Sequence, residues 1–173
     1  MGEHRGHAMI LPRLLYHLSA RLPVRLITRY GAPYLERYHL GRLGPCTVYL
    51  HRFVAGDGDP EPHDHPWDAW SLVLTGHYVE RRCELSGREG LRGRLRRVAW
   101  FNRIRGGDIH QIADARPETW TLFIHTRVRK GWGFFRSVNS SALMYYQPLE
   151  STRSDWHKVA PRGAESRREP LGG

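Results

Sequence analysis

From Cys46 onward the chain alternates between short β-like runs and turns rich in Gly, Pro and Asp. Runs over residues 47–54, 67–79, 95–101, 109–113 and 119–128 are short and repeatedly broken, which restricts this part of the chain to an all-β barrel or sandwich. The connections over 56–62 and 87–93 are built from turn residues, and the second is expected to be a hairpin tip.

The N-terminal part reads differently. Leu14, Leu15, Leu18 and Leu22 recur at helical spacing, with Pro12 near the first turn. Arg13, His17, Arg21, Pro23 and Arg25 interrupt the apolar residues, so a secretory signal fits poorly and a short basic amphipathic helix is expected. Such a helix can pack across the barrel or against a second subunit, the favoured expectation, or lie on a membrane surface as an anchor. The expected organisation is a helical extension over 1–44, a barrel over 45–150 and a flexible tail over 151–173, where Arg, Ser, Gly and Pro dominate.

A length of 173 residues suits one domain, and 40% apolar with 25% charged residues is too mixed for a disordered chain. No window approaches the run of about 18 apolar residues that a membrane span needs. Cys46 and Cys83 alone make no disulfide framework and are read as reduced thiols in a cytoplasmic protein. A net charge of +10 raises the question of a nucleic-acid or lipid partner. Of the 27 basic residues only Lys130 and Lys158 are lysine, and the arginines are scattered from Arg5 to Arg168 with no aromatic-interleaved stripe. The expectation is therefore no nucleic acid and no membrane.

Chemistry gathers in two segments. In Glu61-Pro62-His63-Asp64-His65-Pro66-Trp67, two histidines two apart on an extended chain share one face, which is bidentate metal geometry. In Arg105-Gly106-Gly107-Asp108-Ile109-His110, a glycine turn feeds a strand that carries a third histidine. Asp64 is expected at a solvent-facing turn, or as an acceptor that fixes an imidazole tautomer, and Asp108 has the same two readings. Trp67, Trp70, Trp100 and Trp120 are read as core and barrel-mouth packing. Cys83 is read as a hairpin residue without a role, although Arg81 and Arg82 could lower its thiol pKa.

These segments resemble the two motifs of the cupin superfamily. Gly58, His63, His65 and Gly76 fall where the first motif places Gly, His-x-His and the closing Gly, and Arg105, Gly107, His110 and Asp114 follow the spacing of the second. Tyr49 to Phe53, Trp120 to Phe123 and Trp132 to Phe134 add a resemblance to small bacterial and phage cupins. The resemblance implies a single double-stranded β-helix, or jelly-roll, barrel holding one divalent metal through His63, His65 and His110. Fe(II) is the first expectation, with Zn, Ni or Cu as alternatives. The family's metal-binding Glu falls at Ala69, which shares the face of His63 and His65, while Asp68 and Trp70 point away. The site is thus read as three histidines with open positions, unless His51, His77 or His125 supplies a fourth ligand.

A three-histidine iron cupin resembles thiol, ring-cleaving and diketone-cleaving dioxygenases, which implies O₂ and a small anionic substrate. Arg52, Arg81, Arg103 and Arg105 are candidates to grip that anion, with Arg52, Arg103 and His125 the expected catalytic residues. The alternatives are a redox-neutral isomerase, epimerase or lyase using His51 or His125 as acid or base, and a non-catalytic binding module. A homodimer is expected, because an exchanged N-terminal element would protect a sheet edge.

Overall fold

The computed structural model describes residues 10–29, 31–55, 61–86, 90–137, 144–149 and 155–171. Gly58, the connection at 56–60 and the tip at 87–89 lie outside the described residues, as do residues 1–9, 151–154 and 172–173.

Among the described residues, helix α1 (Ile10–Ser19) precedes eleven strands. They are β1 (Val24–Arg29), β2 (Ala32–Leu43), β3 (Cys46–Phe53), β4 (Ala69–Thr75), β5 (Tyr78–Ser86) and β6 (Gly90–Val98). β7 (Phe101–Ile104), β8 (Ile109–Ala115), β9 (Thr119–His125), β10 (Trp132–Ser137) and β11 (Met144–Leu149) complete the set. One antiparallel sheet runs β1-β2-β3-β9-β4-β7, and the order β6-β5-β8 forms a second, with β10 and β11 a two-stranded ribbon. The segment around His63 joins ribbon and second sheet, because His63 bridges His110 of β8 on one side and Phe134 of β10 on the other. The two layers therefore face each other as a jelly-roll barrel of the cupin type.

The expected run over 67–79 is two strands. Gly76 turns between them with φ +71°, and a Cβ there would sit 2.3 Å from Thr119 Oγ1. The hydroxyl of Thr119 accepts the His77 amide, so the turn is closed by a side chain that needs the missing Cβ's space. Inside the barrel Tyr34, Leu35, Phe53 and Val73 from the first sheet pack against Tyr78, Val98, Ile112 and Ala115 from the second.

Two boundaries differ from the sequence reading. Residues 24–43, expected within a helical extension, are the strands β1 and β2 of the main sheet. The reason is visible on β2, where Glu36 is buried on the outer side and Arg37 faces the lumen, so polar residues on both faces hide the strand's alternation. Residues 155–171, expected in a flexible tail, pack along α1 and β1. Val24 donates to Pro161, Gly163 to Leu22 and Ala164 to Ala20, and a Cβ on Gly163 would meet the Ser19 carbonyl at 2.5 Å.

Helix α1 packs across the outside of the main sheet, where Leu15, Tyr16 and Leu22 cover Val24, Tyr38, Leu50 and Trp120. Beneath it Arg52 is fully buried, with its guanidinium over the rings of Tyr16 and Trp120. It binds both carboxylate oxygens of Glu36 at 3.2 and 3.1 Å, pairs with Glu118, and donates to the carbonyls of Glu169 and Pro170. Those carbonyls come from the C-terminal segment, which Arg52 thereby fastens to the sheet.

Removing one member of a buried ion pair strands the other charge. Arg52→Ala is expected to lower the unfolding free energy by roughly 3–5 kcal/mol in urea denaturation, and a loss below about 1 kcal/mol would show that the pair is dispensable.

Candidate metal centre

His63 and His110 are antiparallel partners that exchange two backbone hydrogen bonds, each 2.9 Å long. That pairing sets their side chains on one face, and the period of two adds His65. The His65 amide donates to the Gly106 carbonyl at 3.3 Å. A Cβ on Gly106 would lie 3.1 Å from the His65 carbonyl and 3.2 Å from that of Trp67, so the glycine lets the two motif segments touch.

The side-chain nitrogens of His63, His65 and His110 all lie within 4.8 Å of one another, and His65 Nε2 is 2.7 Å from His110 Nε2. Two of the rings are oriented from behind. His63 Nδ1 lies 3.2 Å from the Glu61 carbonyl, and His110 Nδ1 lies 2.7 Å from Glu80 Oε1. With both Nδ1 atoms donating, both Nε2 lone pairs turn toward the shared centre. The His65 ring stacks on Trp67 with centroids 4.2 Å apart. Burial, helped by neighbouring ring groups that disfavour a further proton and by the positive charge of Arg37 and Lys130, pushes the His65 pKa well below its ordinary value and keeps it neutral. Three imidazole nitrogens that converge on one point fit a divalent metal of the kind that nitrogen ligands take.

Glu80 is the residue that sequence reasoning missed. It is fully buried beneath His110, where its carboxylate accepts from Asn102 Nδ2 at 3.1 Å and Arg96 Nε at 2.7 Å, with Arg82 Nε at 3.0 Å. Burial alone would raise its pKa, but His110, Arg82 and Asn102 outweigh burial and hold it ionised far below the usual range. Its one sequence signal is parity with Tyr78 on a strand whose alternate positions point inward.

The histidines open onto a cavity of about 620 Å³ whose wall includes Tyr49, Phe53, Trp67, Phe123, Trp132 and Trp156. Its charged lining is Arg25 and Arg37, and no Asp or Glu is among the described lining residues. Arg37 Nε donates to His51 Nε2 at 3.1 Å, with the guanidinium 5.3 Å from the centre of the Tyr49 ring.

The expected ligands are thus together, whereas the other expected residues scatter. His125 lines the cavity, held by its Nδ1 at 2.6 Å from the Thr126 carbonyl, and His51 lines it too. Neither they nor His77 joins the ligand group among the described residues. Arg52 lies on the opposite face of β3, in the buried ion pair under α1. Arg103 and Arg105 are exposed on the outside, and Arg81 packs over Gly93. Ala69 is buried against Tyr49, Ile104 and Phe123, so no carboxylate enters there.

Asp64 is neither at a solvent-facing turn nor bonded to a ligand ring. It is buried and accepts the Gly133 amide at 2.8 Å, the Tyr146 hydroxyl at 3.3 Å and the Lys130 ammonium, tying the ribbon to the histidine segment. Asp108 takes the Arg105 amide at 2.8 Å and the Arg82 guanidinium. Cys83 is buried within β5, and burial raises its thiol pKa more than Arg81 lowers it.

A cupin-type barrel with a three-histidine centre is the class that this geometry defines. Among solved structures the chain is similar to a variant oxalate decarboxylase of Bacillus subtilis (TM-score 0.47, 14% identity), covering 64% of this chain and 28% of that one. It is similar to a cupin-2 domain from Rhodospirillum rubrum (TM-score 0.47, 14% identity, 80% of each chain) and to Fe(II) HppE (TM-score 0.45, 12% identity, 61% of this chain and 56% of that one). The chain therefore spans about a quarter of the length of the oxalate decarboxylase. No family model and no curated protein matches it.

Glu80→Gln keeps the shape of the carboxylate but removes its charge, and the variant is expected to bind metal roughly 10–100-fold more weakly in calorimetric titration. An unchanged affinity would make Glu80 a packing residue.

Burial also depresses the pKa of His51 and His125, with Arg37 adding to the effect in both. As pH falls below about 6.5 the unfolded chain takes up protons that these folded rings refuse, so stability is full above that pH and declines below it. The Tm of metal-free protein is expected to drop between pH 7 and 5, with a shallower drop in His51→Gln; coincident profiles would remove His51 from that account.

Proposed function

We propose that the chain is a mononuclear metal-dependent enzyme, and within that class a non-haem Fe(II) oxygenase acting on a small anionic molecule. The observation that carries this is a centre of three imidazoles, with no carboxylate in the ligand group among the described residues, opening onto a cavity whose charged lining is arginine alone. A divalent metal held by three protein ligands keeps positions open for substrate and O₂ and supplies Lewis-acid or redox chemistry there.

This chain's residues divide the remaining work. Arg37 offers a guanidinium fork that fits a carboxylate or phosphate in a bidentate way, and it takes the role that sequence reasoning gave to Arg52 and Arg103. The aromatic wall excludes water from the anion's neighbourhood, which strengthens that attraction. A cavity of this size suits a single small molecule. Glu80 fixes the His110 ring through Nδ1, and its own position is fixed by Arg82, Arg96 and Asn102.

One observation favours a redox-neutral isomerase, epimerase or lyase as the second reading. His125 spends Nδ1 on the Thr126 carbonyl, so Nε2 is left as an acceptor on a cavity-lining ring. That arrangement suits a proton-transfer group. The two readings separate on oxygen.

Protein purified without a chelating tag is expected to hold near-stoichiometric metal that vanishes in the His63→Ala, His110→Ala double variant. The iron-loaded protein is expected to consume O₂ with one of a panel of small carboxylates and thiols, and Arg37→Met to raise KM for that compound at least tenfold. Turnover without oxygen would select the redox-neutral reading, and equal metal content in both proteins would overturn the metal centre.

A further inference from the structure

Along the chain the positive charge is scattered, but the fold collects part of it at one corner. β6 is an edge of the second sheet and β7 an edge of the first, and residues 99–100 turn the chain from one to the other. Arg96 reaches across that corner from β6 to Asn102 of β7. Between Leu91 and Gly107 there are six arginines and no acidic residue. Of these Arg92, Arg94, Arg97, Arg103 and Arg105 are exposed and form no ion pair among the described residues, whereas Arg96 pairs with Glu80.

Aromatic side chains sit within this charge. Trp100 is 74% exposed and Phe101 50% exposed, against the expectation that Trp100 packs in the core or at the barrel mouth. Phe101 shares a shallow recess with Arg82, Arg96 and Arg103. Charge on an edge strand protects it from pairing with other chains, and that accounts for arginines on β6. It does not account for an indole and a phenyl ring left in water beside them.

We propose that this corner binds single-stranded nucleic acid. Arg92 and Arg94 alternate along a strand, which spaces them by about 7 Å, a distance on the scale of neighbouring phosphates in an extended strand. Exposed aromatic rings accept bases by stacking, and a groove of guanidiniums with such rings is how single strands are held without sequence preference. A lipid surface fits less well, since the recess that Phe101 lines is otherwise lined by arginines. The corner is outside the cavity of the metal centre, so this proposal does not depend on the enzymatic reading.

The test is fluorescence anisotropy of labelled 12-mers of rU and dT with the full chain from 50 to 300 mM KCl. Wild type is expected to bind with a salt slope that falls by roughly 2 in an Arg92→Ala, Arg94→Ala, Arg103→Ala variant, at about 0.7 per lost phosphate contact. Trp100→Ala is expected to weaken binding roughly tenfold or more with the slope unchanged. A far-ultraviolet circular dichroism spectrum and a Tm equal to wild type identify variants that remain folded. Three results would each overturn the proposal: no binding of either 12-mer at 50 mM KCl, affinity unaffected by Trp100→Ala, or binding to phosphatidylglycerol vesicles in place of the oligonucleotides.

Discussion

The reciprocal backbone hydrogen bonds between His63 and His110 carry more of this molecule than any other single contact. The segment around His63 is no strand in its own right, yet it fills the gap between β8 and the β10-β11 ribbon and so completes the second sheet. Because paired residues of antiparallel strands present their side chains on the same face, the bonds that complete the sheet also set two imidazoles side by side. Alternation then delivers the third. Sheet assembly and ligand placement are one event here, with Gly106 allowing the approach.

Burying the charged Glu80 beside that centre would be costly without compensation. Arg82 and Arg96 supply positive charge, Asn102 supplies a donor, and His110 takes the remaining lone pair. The same solution recurs across the main sheet, where Arg52 satisfies Glu36, Glu118 and two carbonyls at once. A lysine could not serve four acceptors from one planar fork. Arg52, Arg82 and Arg96 of this basic chain are thus spent on buried carboxylates, which a count of net charge cannot distinguish from unpaired surface arginines.

Legibility from sequence followed periodicity. The barrel, the helix that packs across it, and the shared face of His63 and His65 could be read from spacing along one strand or helix, whereas His110 was joined to them by the resemblance to the second cupin motif. What escaped depends on contacts between distant segments. β1 and β2 were hidden because β2 carries polar residues on both faces, Glu36 buried on one and Arg37 half-buried on the other. Glu80 gains its meaning only when β5 lies against β8, and Arg37 only when β2 closes the cavity. The packing of residues 155–171 was illegible for a related reason, since it rests on backbone bonds, on Arg52 and on the aromatic side chain of Trp156 against Tyr49, with no apolar periodicity to announce it. Arg52 and Arg103 were chosen for lying on predicted strands, but parity without register cannot say which face of a strand is the lumen.

Asp64 separates the two histidines of the first motif, and its bonds to Gly133, Tyr146 and Lys130 lash the ribbon to them. The ribbon in turn lays Trp132 and Phe134 against the His63 ring. Any displacement of the ribbon would therefore pull on the short segment that carries two of the three histidines, so the geometry of the centre is only as steady as the ribbon's own footing.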